Sequence, residues 1–123
     1  MTLRQPGKSL RIIVVDDDEG VRTALQYLLC TSGYEVRLFA SAEDLLAQDV
    51  DADCFLFDVC LPKMSGIELA EQIRSAGREV PIVLMTGQDR ESIRRAIARA
   101  GLPLLSKPCD EREILNAVAS AKR

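Results

Sequence analysis

The side chains best suited to chemistry in this sequence are carboxylates, hydroxyls and one amine. Asp16, Asp17 and Asp18 stand in a row after the apolar run Ile12 to Val15, and Asp58 closes the run Cys54 to Phe57. Thr86, with Gly87 behind it, follows Ile82 to Met85, and Ser106 and Lys107 follow Leu102 to Leu105. None of the 123 residues is histidine, which removes Ser-His-Asp catalysis, Cys-His catalysis and histidine zinc sites together. The cysteines Cys30, Cys54, Cys60 and Cys109 lack CxxC spacing and read as reduced, cytosolic thiols. Grouped carboxylates repel one another and raise each other's pKa unless a cation joins them, and a hard divalent ion such as Mg²⁺ suits them. A carboxylate beside such an ion is also a competent nucleophile towards a phosphoryl group.

That chemistry requires elements that bring distant residues together. Five short apolar runs, Ile12 to Val15, Val36 to Phe39, Cys54 to Phe57, Ile82 to Met85, and Leu102 to Leu105 with Pro103 inside it, are strand-sized. Their apolar continuity suits strands covered on both faces of a parallel sheet. Five amphipathic stretches of helical length alternate with them. The first runs from about Gly20 to Ser32, with Val21, Leu25, Leu28 and Leu29 at helical spacing and Gly33 as its stop. The second opens at Ser41, with Asp44 three residues on and Leu45 and Leu46 behind. The third carries Ile67, Leu69, Ala70 and Ile73 to Gly77, the fourth Ile93, Ala96, Ile97 and Ala100 to Gly101, and the fifth, from about Asp110, Ile114, Leu115 and Val118. The order (βα)₅ predicts an α/β, doubly wound, flavodoxin-like sandwich with right-handed crossovers.

Two strand orders compete, 2-1-3-4-5 and 3-2-1-4-5, and ligands bind beyond the carboxyl ends of the strands at the switch point. The first order sets strands one and three side by side, roughly 4.8 Å apart, so that Asp16 and Asp17 meet Asp58. The second separates them by a whole strand. In the first order Asp17, Asp58, a backbone carbonyl just after Asp58 and waters can complete a Mg²⁺ sphere. Thr86 is then one strand from Asp58, and Lys107 two strands away, roughly 10 Å, a gap a long cation can largely close. The five-stranded parallel sheet is therefore predicted in order 2-1-3-4-5.

Composition narrows the remaining classes. A 47% hydrophobic, 28% charged chain of this length is one domain, residues 10–123, preceded by a flexible polar arm, residues 1–9. Its formal charge of −3 argues against a nucleic-acid surface on this domain. No apolar run is long enough to span a membrane, and the N-terminus lacks a signal-peptide core, so a cytoplasmic location is expected. Arg90, Arg94, Arg95 and Arg99 read as the solvated face of the fourth helix.

Four segments, VVDDDEGVR, FDVCLPKMSGIEL, VLMTG and LSKP, resemble in order and spacing the signature segments of response-regulator receiver domains. The resemblance covers about Leu10 to Val118. It implies a two-component phosphorelay switch in which Asp58 is the phosphoacceptor and Asp17 a direct metal ligand. Asp16 would act on the metal through a water, and Cys60 would offer its backbone carbonyl. Thr86 would be the switch hydroxyl, Lys107 the lysine paired with Asp58, and Lys107–Pro108 a cis bond. The implied donor is a histidine kinase or histidine phosphotransfer domain, meeting helix one and the loop above Asp58. The face of helix four, strand five and helix five would meet a target or a second copy. Leu104 departs from the pattern, standing where receivers usually carry Tyr or Phe, and the Gly101 to Lys107 interval is one residue shorter than the common spacing. Two alternatives remain: an aspartyl-phosphate phosphohydrolase, which needs an acid where Cys60 stands, and a receiver-like module that works without phosphate.

Overall fold

The computed structural model describes residues 10–48, 50–87 and 90–121; the expected arm, residues 1–9, lies outside them. The chain alternates β1 (Arg11–Val15), α1 (Glu19–Thr31), β2 (Glu35–Phe39), α2 (Ala42–Leu46), β3 (Cys54–Asp58), α3 (Gly66–Ser75), β4 (Ile82–Thr86), α4 (Glu91–Ala100), β5 (Leu104–Ser106) and α5 (Glu111–Ala121). All pairings are parallel and the sheet order is β2-β1-β3-β4-β5, the order that strand-end chemistry predicts.

Strand side chains alternate between two cores because successive residues point to opposite faces. Ile13, Val15, Phe55, Phe57, Ile82 and Leu84 pack with α2, α3 and α4 through Leu45, Leu69, Ile73 and Ile97. Ile12, Val14, Cys54, Leu56, Val83, Met85 and Leu105 pack with α1 and α5 through Leu25, Leu29, Ile114 and Val118. β1, β3 and β4 are thus covered on both sides.

Helix ends follow local chemistry. Asp18 accepts the Val21 N–H as N-cap of α1, and Ser41 accepts the Asp44 N–H at α2. Ser65 and Glu68 form a reciprocal capping box at α3, as do Asp110 and Glu113 before α5. Gly101 ends α4 at φ 68°, a left-handed conformation that a side chain would oppose.

Three expectations need correction. The fifth strand begins after Pro103, at Leu104, because proline has no N–H for the ladder; Pro103 still accepts the Leu84 N–H through its carbonyl, at 2.9 Å. The second helix is only five residues long, little more than a turn. Only Phe39 is buried on β2, an edge strand whose Arg37 lies over the Phe39 ring, 5.4 Å from its centroid.

Candidate functional site

The last registered pair between β1 and β3 is Val15 with Phe57, so the next residues, Asp16 and Asp58, emerge side by side. Both are buried, Asp16 completely, whereas Asp17 is exposed. One carboxylate oxygen from each of Asp16, Asp17 and Asp58 lies within 4.8 Å of the others, and no other such cluster of acids and cysteines occurs among the described residues. This is an all-oxygen donor set with two members buried, and it fits a hard divalent cation such as Mg²⁺.

Asp16 and Asp58 are each held by their neighbours. The Asp16 N–H bonds the Phe39 carbonyl at 3.1 Å, and Asp16 Oδ1 accepts the Asp18 N–H at 3.0 Å. Asp16 Oδ2 accepts the Lys107 ammonium at 2.9 Å. Asp58 Oδ1 accepts the backbone N–H of half-buried Cys60 at 3.3 Å and stands 3.6 Å from Lys107 Nζ. Lys107 therefore reaches both acids, and its firmer bond is to Asp16, whereas the sequence pointed to Asp58. Thr86, buried at the end of β4, accepts the Lys107 N–H through its carbonyl at 2.7 Å, which ties the base of the lysine to the strand beside Asp58. The Lys107–Pro108 bond is cis.

Burial raises the Asp58 pKa above its ordinary value; Asp16, and more weakly Asp17, add to the rise, while Lys107 and the Cys60 N–H oppose it. Lys107 is also shifted upward: burial disfavours its charge, but the bond to Asp16 and the field of Asp58 outweigh that cost. A buried carboxylate with its proton held in balance by an acid pair and an ammonium is the kind of group found at functional sites.

Three structural determinants were not singled out from sequence. Gly66 opens α3 so close to β3 that a Cβ there would stand 2.2 Å from the Asp58 carbonyl oxygen. The Ser65–Glu68 box was legible as an S-x-x-E pattern before an apolar helix. Arg22 Nη1 donates to the Asp16 carbonyl at 2.7 Å, a contact for which helical periodicity gives no signal.

The profile of the response regulator receiver domain matches residues 12–119. The chain belongs to this family. It is a receiver domain of two-component signalling, built on the flavodoxin-like fold of CheY-type proteins. The response regulator MprA of Mycobacterium bovis (strain BCG / Pasteur 1173P2) is 40% identical over 111 residues, 87% of this chain but 48% of that protein. The receiver thus spans about half the length of the curated relatives it matches. Among solved structures, the CheY-like receiver domain protein of Methanospirillum hungatei JF-1 superposes with a TM-score of 0.85 at 28% identity, covering 92% of this chain and 93% of that one. FixJ-N gives 0.84 at 29% identity, covering 94% of each chain.

Proposed function

We propose that Asp58 accepts a phosphoryl group from the phosphohistidine of a partner histidine kinase or histidine phosphotransfer domain. The observation that carries this reading is a buried carboxylate at the sheet's switch point, flanked by an acidic pair and with a lysine ammonium 3.6 Å away. An Asp58 oxygen attacks phosphorus, a new O–P bond forms, the P–N bond to the donor imidazole breaks, and the electron pair stays on that imidazole. Asp17, Asp58 and the Cys60 backbone carbonyl would hold Mg²⁺, with Asp16 acting through a water, and the ion would supply positive charge to the transferred oxygens. Lys107 leaves the two carboxylates for a phosphate oxygen, and the Thr86 hydroxyl donates to another. The same site assists attack of water on its own acyl phosphate, which releases inorganic phosphate and returns Asp58 to the free carboxylate.

On the output side, α4, β5 and α5 form the face that meets a partner or a second copy of the chain. Leu104, 36% exposed on β5, lies on that face in place of an aromatic, so no aromatic rotamer at this position carries the change at Asp58; the element proposed to move instead is α4, which has no side-chain N-cap bond and buries only Ile97. In this reading residues 1–9 are an arm, residues 10–123 the receiver, and the domain works in the cytoplasm without binding nucleic acid itself.

Beryllofluoride is the direct probe, because it mimics a phosphoryl group on a carboxylate. With Mg²⁺ present, ¹⁹F NMR is expected to show a bound resonance for the wild type and none for Asp58→Asn. A bound resonance in both, or in neither, contradicts the assignment.

A further inference from the structure

Arg22 lies one turn into α1, near the helix end whose partial positive charge disfavours a cation, and its placement there needs a reason. Its half-buried guanidinium donates to the main-chain oxygen of Asp16 at 2.7 Å. That carbonyl shares one planar peptide unit with the Asp17 N–H, so holding it fixes the plane from which Asp17 departs. Asp16 hardly needs the contact for itself. Its N–H is held by Phe39 and its two carboxylate oxygens by Asp18 and Lys107. Asp17 is different: it is exposed, and among the described residues no hydrogen bond holds its carboxylate, yet that group joins the cluster with Asp16 and Asp58. Arg22 and Lys107 thus both hold Asp16, Arg22 at its main-chain carbonyl and Lys107 at its carboxylate.

We infer that Arg22 is a positioning residue for divalent-cation binding, fixing the Asp16–Asp17 peptide so that the Asp17 carboxylate faces Asp58 before the ion arrives. The inference rests on the proposed reading only in taking the three aspartates as the cation site. It assigns Arg22 no contact with the ion or with a phosphoryl group. Groups that orient metal ligands commonly change affinity by roughly 10- to 100-fold when removed, and Arg22 belongs at the lower end because it acts on one ligand of several.

The test is Mn²⁺ binding followed by electron paramagnetic resonance, in the full chain and well below the melting temperature of each variant. Arg22→Met is expected to weaken Mn²⁺ binding by about tenfold, and Arg22→Lys, which keeps a charged donor, to recover most of the loss. Arg95→Met, which removes an exposed charge paired with Glu91 on α4, is the control and is expected to bind as the wild type does. Should Arg22→Met fail to fold, Arg22→Gln, whose reach is too short, replaces it with the same expected loss. Equal affinities in wild type and Arg22→Met overturn the inference while leaving the cation site standing. An equal loss in Arg95→Met also overturns it, since the effect would then be one of net charge. A wild type that binds no Mn²⁺ overturns both this inference and the metal site.

Discussion

Lys107 is bonded to Asp16, its Nζ 2.9 Å from the Oδ2 of a carboxylate with no solvent exposure. The same ammonium stands 3.6 Å from Asp58, so one cation just after β5 compensates two acids, one just after β1 and one at the end of β3. Lys107 is therefore part of what allows two carboxylates to be buried side by side.

Removing that cation should be costly. Lys107→Met leaves Asp16 buried without its ion partner, and because the lysine is only partly buried the expected destabilisation is about 3 kcal/mol, the low end for a broken buried pair. Adding Asp58→Asn should reduce the loss, since one of the stranded charges is gone. Urea denaturation of the two single variants and the double variant measures the coupling, and strictly additive effects would contradict the shared-cation arrangement.

Asp58 should oppose stability at neutral pH. Its folded pKa is raised above the ordinary value of 3.8, chiefly by burial and then by Asp16, so the folded state binds its proton more tightly than the unfolded state does. The penalty is full above the folded pKa, fades as pH falls through it, and is gone below 3.8. Asp58→Asn should accordingly stabilise the cation-free protein at neutral pH by on the order of 1 kcal/mol, a usual single-site magnitude. Thermal melts at descending pH should show that advantage shrinking; a constant advantage would count against the assignment of the shift.

Alanine should be costly at Gly66 and nearly neutral at Gly87. At Gly66 the new methyl would meet Asp58 backbone, its carbonyl oxygen at 2.2 Å and carbon at 2.9 Å, so α3 or the end of β3 must move. A loss on the order of 3 kcal/mol is expected, as for severe overpacking, together with weaker divalent-cation binding. At Gly87 the nearest atom is Lys107 Cβ at 3.8 Å, an ordinary contact, and the change should stay within about 1 kcal/mol. Chemical denaturation and cation titration of both variants check the contrast.

On the proposed output face, α4 should open more readily than α3 does. α4 has no side-chain N-cap bond at Arg90 and buries only Ile97, whereas α3 has a full capping box and buries Gly66, Leu69, Ala70 and Ile73. Native-state hydrogen exchange is expected to be roughly tenfold or more faster in α4 than in α3. Equal protection would argue against movement of α4 as the outward signal.

Much of this was legible because parallel sheets write their function at the strand ends. The apolar runs of β1, β3 and β4 and the residues after them, Asp16, Asp58 and Thr86, fixed the strand order through the need to unite the acids. β5 was legible only in outline: the run Leu102 to Leu105 carries no mark that pairing by N–H starts after Pro103. The Arg22–Asp16 carbonyl bond and the approach of Gly66 to Asp58 were not legible, because main-chain contacts across a loop leave no periodic trace. Lys107's preference for Asp16 was equally hidden, since sheet spacing gives its reach but not which of two adjacent acids it meets first.

Asp58 is proposed as the residue that takes the phosphoryl group, and incubation with acetyl phosphate and Mg²⁺ followed by intact-mass measurement reads that transfer itself. The wild type is expected to gain the mass of one phosphoryl group, labile to hydroxylamine as an acyl phosphate is, and Asp58→Asn to gain none. An unmodified wild type, or the same gain in Asp58→Asn, would contradict the claim.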